Sequence, residues 1–173
     1  MKRPARLGLR RGSRPDLEVP RGERLLAWAS SSDGETVVGG TREALYLPGG
    51  TRIAWEDVEA ADWDSDTATL HVSEVGSWGE PRPEHHLVLE EPARFLQLVR
   101  ERVTASVVLQ RHVALEGRLG VRVIARRAPG AVADRSKIVW IHEYDEGIDP
   151  HDTRVRLAAA QALAAAREEL GLA

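Results

Sequence analysis

The sequence predicts an α+β fold: short antiparallel strands closed by one helix, followed by a smaller hairpin, strand and helix. Three observations carry that expectation. From Arg24 to Glu90, short apolar runs alternate with turn residues. From Glu91 the apolar spacing changes from the period of a strand to that of a helix. Beyond Val107, a second strand-rich stretch ends in an alanine-rich helical stripe.

Taken in order, RLLAWAS (Arg24 to Ser30) is the first apolar run, and SSSDGE supplies turn residues, with Gly34 free to take a positive φ. TVVGG and ALYL read as strands, and Pro48-Gly49-Gly50 as a break. In RIAWEDV, Ile53, Trp55 and Val58 fall near one register. In ATLHVSEV, Leu70, Val72 and Glu74 share one face, His71 and Ser73 the other. HHLVLE is a further strand, which makes about seven in all. Phe95, Leu96, Val99 and Val103 then mark one helix behind Pro92, a residue the first helical turn accepts.

The last third divides the same way. VVLQRHVALEG and VRVIARRAP flank a Gly-bounded turn, and IVWIHEY is a strand. TRVRLAAAQALAAAREEL is a helix with Val155, Ala159, Ala162, Leu163, Ala166 and Leu170 on one stripe. Asp149 or Asp152 caps its start and Gly171 stops it. The expected organisation is a basic, disordered leader over 1–20, a sheet-and-helix domain over 21–107, and an α+β extension over 108–173. That extension either packs on the first sheet or continues it. Alanine allows close helix packing, within the chain or in a weak homodimer, but contributes little apolar area.

Composition narrows the function. The formal net charge is −3, which argues against a dedicated nucleic-acid binder. Lys2, Arg3, Arg6, Arg10, Arg11 and Arg14 stand together with no acid among them, and read as a solvated leader rather than a grip on an anionic surface. There is no cysteine, hence no disulfide, thiolate zinc site or thiol nucleophile. No apolar run approaches a membrane span and none follows the N-terminal charges, so no transmembrane segment and a cytoplasmic location are expected.

The chemical candidates are few. DWDSD (Asp62 to Asp66) fails as a helix-flanked calcium loop, because Thr67 and Ser73 occupy the positions that need Gly and Glu. Asp64, Ser65 and Asp66 are instead the residues a tight strand connection prefers. HEYDEGIDPHD is the one plausible catalytic segment, with His142, Asp145 and His151 as its candidates. It has no HExxH or other compact ligand motif, and acids gather naturally where a helix begins. His85 and His86 are adjacent on a strand and face opposite sides. No P-loop, dinucleotide fingerprint or GxSxG is present, so neither cofactor nor metal is expected. For partner contact the candidates are Trp78, in the loop GSWGEPRP, and the arginines Arg122, Arg126 and Arg127 of the second hairpin. Trp28, Trp55 and Trp63 read as core.

GERLLAWA (Gly22 to Ala29), GGTREALYL (Gly39 to Leu47), RIAWEDVEAADWD (Arg52 to Asp64) and EPARFLQLVRERV (Glu91 to Val103) together resemble the bacterial pleckstrin-homology-like domains, and an actinobacterial group of them to which no activity is attached. The resemblance covers roughly 22–107. It implies a PH-like bent antiparallel sheet of seven strands closed by a C-terminal helix. Phosphoinositide-binding members of the wider fold carry basic residues around the first two strands; here that loop is SSSDGE, which lacks a basic fork and speaks against inositol lipids. The expectation is a non-enzymatic binding or scaffold module that presents a sheet edge to a protein partner. A small metal-dependent hydrolase built on His142 to Asp152 is the alternative.

Overall fold

A computed structural model describes residue 15 and residues 17–76, 82–130 and 137–172. Among the described residues, ten strands lie in three antiparallel sheets; α1 links the second sheet to the third, and α2 follows the last strand. β1 (Ala27–Ser30), β2 (Val37–Gly40), β3 (Ala44–Tyr46) and β4 (Arg52–Ala54) make the first sheet in sequential order. β5 (Val58–Asp64), β6 (Thr69–Glu74) and β7 (Glu84–Val88) make the second. The seven strands are thus two sheets and not one continuous bent sheet; a bridge between Ser30, at the end of β1, and Glu90, just past β7, links them. α1 (Ala93–Ser106) follows, with the Pro92 carbonyl accepting its first helical hydrogen bond from Leu96.

The core lies between the two sheets and α1. Trp55, Phe95, Leu45, Val38 and Val58 are fully buried in it, with Leu70, Val72, Leu98 and Val99 around them. Ile53, Trp55 and Val58 all reach this core, but a 3-10 turn over Trp55–Asp57, not an unbroken strand, brings them there. The Trp55 indole donates to the Thr41 carbonyl at 3.2 Å, so its one polar atom is satisfied. Gly40 has a packing reason: a Cβ there would come 2.7 Å from Leu98 and 3.2 Å from Trp55. Trp28 departs from the expectation. β1 turns Ala27 and Ala29 inward and leaves Trp28 40% exposed, because only alternate residues of a strand can face the core.

α1 runs straight into β8 (Val107–Glu116), which pairs with β9 (Leu119–Arg127); β9 pairs with β10 (Ile138–Tyr144). These three form their own sheet. α2 (Thr153–Glu169) covers one face of it, burying Val155, Ala159 and Ala166. The alanine stripe is therefore used within the chain. Asp152 caps α2 by accepting from the backbone of Arg154 and Val155, and Gly171 takes a positive φ of 68° just past its end. Arg167 lies over the Trp140 ring and Arg111 pairs with Glu169, both tying α2 to the sheet.

Phe95 is fully buried in the core between helix and sheets. Phe95→Ala is expected to cost about 3–5 kcal/mol in urea unfolding, the range for emptying a buried aromatic site. Leu157→Ala, at a position 62% exposed, is expected to cost well under 1 kcal/mol.

Candidate functional site

β5 is the edge of its sheet: it pairs with β6 and, among the described residues, with no strand on its other side. α1 runs beside that edge. Between them lies a groove of about 530 Å³, with Ala61 and Trp63 on the β5 side and Ala93, Leu96, Gln97 and Arg100 on the α1 side. Leu70 and Val99 reach its floor from the core. The sequence explains this shape. Ala61 and Ala93 are too small to fill the space, so the wall between strand and helix stays open. Trp63 packs on the core from one side of the groove and remains half-buried. Arg100 and Asp62 are exposed and put one charge of each sign at the rim.

One end of β5 is closed. The register slips between Val58 and Ala60, leaving Glu59 as the extra residue of a bulge. The Glu59 carbonyl accepts instead from Arg126 Nη2 at 2.8 Å, and Arg126 Nη1 donates to Ser106 Oγ at 3.1 Å. Arg126 is only 5% exposed. Burial pulls its basicity down, opposed by the carboxylates of Glu143 and Glu59. The Glu59 side chain is buried too, which raises its carboxyl, and Arg82 pairs with it at 2.7 Å. Arg126 is thus a rivet between β9, the last turn of α1 and the start of β5, and in this arrangement it is not available to a partner. Arg127 is half-buried. Arg122 is half-buried as well, and it pairs with Glu143 at 2.7 Å. Trp78 lies outside the described residues.

The candidate catalytic residues are spread apart. Glu143 stands opposite Arg122, and His142 opposite Val123, so the two neighbours face opposite sides of the sheet. His142 lies on the face covered by α2, half-buried, and burial holds its pKa below the ordinary imidazole range. Asp145 lies on the other face. It accepts from the Gly120 amide at 2.8 Å and meets His112 Nε2 at the same distance; His112 and that amide together hold its carboxyl below the usual range. His151 is exposed at the head of α2, where its amide donates to Asp149. His142 and Asp145 therefore do not face one reacting atom. The His112–Asp145 pair was not visible in the sequence, because it needs the register of β8 on β9. No three His, Asp or Glu side chains among the described residues are arranged around one metal position. In DWDSD, Asp64 Oδ1 accepts from the amides of Asp66 and Thr67 and closes the β5–β6 turn.

A second concavity, of about 340 Å³, is lined by Glu23, Glu43, Glu56, Arg21 and Arg52. Burial works to raise the Glu23 carboxyl, but hydrogen bonds from Thr41, Tyr46 and Arg52 outweigh it and leave it lowered. Glu56 has no such help. It is 6% exposed, one of its oxygens has no hydrogen-bond partner among the described residues, and burial raises its carboxyl.

No family model matches the chain, and no curated protein matches it. No helix among the described residues is long and apolar enough to cross a membrane.

Two outcomes follow from these charges. Arg126→Ala removes the rivet and strands the Glu59 carbonyl; it should cost about 3 kcal/mol in chemical unfolding. Hydrogen exchange of the variant should show β8 to β10 opening more readily than β2 and β3. For Glu56, the folded-state pKa lies above the unfolded one, so its favourable contribution holds at low pH and is lost as pH rises through the folded value. Glu56→Gln is therefore expected to raise the thermal midpoint at neutral pH, with the gain shrinking as the pH falls to about 4.

Proposed function

We propose that this chain is a non-enzymatic protein-binding module, and that its partner supplies an extended segment that adds to the outer edge of β5. One observation supports the reading above others: the unpaired edge of β5 runs along an open groove whose far wall is α1. An edge strand offers backbone N–H and C=O groups in the spacing another strand needs. A neighbouring groove supplies what backbone pairing lacks, a pocket that selects side chains. Here the floor is apolar, at Leu70 and Val99, and Arg100 marks the rim. The fitting segment is extended, with an apolar side chain for the floor and an acid within reach of Arg100. Seven antiparallel strands followed by one helix support a PH-like domain over 21–107, as the resemblance of the sequence implies, while their division into two sheets departs from the single bent sheet expected.

The hydrolase alternative has less behind it, since His142 and Asp145 belong to opposite sheet faces. Inositol-lipid binding is disfavoured by the acids of the β1–β2 turn, where Asp33 is bonded to Ser31 and the Glu35 amide.

Gln97 is exposed on the groove wall, so Gln97→Trp should fill the groove without disturbing the core. Octapeptides selected from a displayed library on the wild-type chain are expected to bind Gln97→Trp about tenfold more weakly or worse, a loss of about 1.4 kcal/mol. They should bind Asp145→Ala unchanged. Selected peptides that ignore Gln97→Trp, or a library that yields no binder, would contradict the reading.

A further inference from the structure

The outer face of the β5–β6–β7 sheet carries a row of chemistry that the proposed binding role does not use. Asp62, His71 and His86 stand directly opposite one another across the three strands. Their face points away from the core, because the alternate residues Leu70, Val72 and Leu87 are buried. The two imidazole rings meet edge to face, with centroids 4.5 Å apart and planes at 81°. A concavity of about 200 Å³ lies over them, with Glu84 and Ser73 also on its wall. Glu84 Oε2 is 3.8 Å from His86 Nε2.

We propose that His71 and His86 form a cross-strand clip for a divalent transition-metal ion of the copper, nickel or zinc class. Directly opposed residues on antiparallel strands hold their Cβ atoms about 4.5–5.5 Å apart. Imidazole nitrogens bind such ions at about 2.0–2.1 Å, so two of them sharing one ion sit about 3 Å from each other. The sheet fixes both Cα positions, and the clip closes by rotation of two side chains that are not locked into the core. Imidazole is a preferred ligand for copper, nickel and zinc, and poorly suited to magnesium or calcium, which take oxygen. Glu84 is the carboxylate best placed to add a third donor, and water completes the sphere. The clip is therefore a two-point chelate that assembles around its ion; among the described residues no three-residue cluster is already arranged for a metal. His85 has no part in it. It borders the same concavity, but strand parity puts it on the Val72 side of β7, where Glu74 holds its ring at 2.7 Å.

The experiment uses the full, untagged chain with Cu²⁺, Ni²⁺, Zn²⁺ and Mg²⁺ as probes. Wild type should bind Cu²⁺ at about one per chain and most tightly of the four. Its paramagnetic resonance spectrum should carry the nitrogen splitting of two imidazoles. Binding only to the folded chain should also raise the thermal midpoint with Ni²⁺. His71→Ala and His86→Ala, both surface changes, should each weaken binding about tenfold or more and abolish the thermal shift, whereas His85→Gln should retain both. Thermal melts without metal establish that each variant is folded. Binding by the His71→Ala/His86→Ala double variant equal to wild type, or no uptake by wild type, would overturn the proposal. So would a loss in His85→Gln as large as in the two Ala variants.

Discussion

Helix α1 is pinned against both N-terminal sheets by one knot of side chains, and every other feature takes its position from that contact. Phe95, Leu98 and Val99 share one buried cluster with Trp55, which itself comes from the 3-10 turn between β4 and β5. Gly40 leaves the room that lets Leu98 and the indole approach β2. Buried apolar side chains of this size stabilise by roughly 1.5–3 kcal/mol each, so the knot is a large part of what holds the helix to the sheets. The same helix then does two further things. Its outer flank becomes the wall of the groove beside β5, and its last turn passes without a loop into β8.

That direct passage explains why Arg126 is buried. With no linker to separate them, the third sheet lies against the start of β5, and the bulge at Glu59 frees a carbonyl at the point of contact. A guanidinium can satisfy that carbonyl and Ser106 at once, which an aliphatic side chain cannot. Glu59 and Glu143 supply the countercharge. The third sheet is thereby set at one end of β5 and leaves Ala61 to Asp64 facing the groove. Binding site and rivet are two ends of one strand, and the bulge separates them.

Much of this was legible in the sequence. Alternation located β6 and its inward Leu70 and Val72, and helical spacing located α1 and α2, with Asp149 and Asp152 both open as the cap until the structure gave Asp152. Composition also identified the β5–β6 turn, because Asp64 is a residue that caps its own backbone. Sheet membership was not legible. Nothing local states that seven strands divide four and three, since the split depends on a 3-10 turn that looks like strand in sequence. Trp28 shows the cost of reading residue type before parity. Arg126, His112 and His86 share another reason: each acquires its role from a neighbour on a different strand, and register is set by connections whose lengths carry no pattern. Arg126 read as a surface cation for want of knowledge that Glu59 would face it.

A partner can add a strand to β5 only if the outer edge of β5 is unpaired and open to solvent. Residue-resolved amide hydrogen exchange of the unliganded chain tests that most directly. In an antiparallel edge strand, alternate amides point to the partner and the rest point outward. Over Ala61 to Asp64 the expected pattern is therefore slow and fast exchange in alternation, against uniform protection in the central strand β6. Uniform slow exchange along β5 would mean that the edge is already covered, and the groove would then be no place for a partner to add a strand.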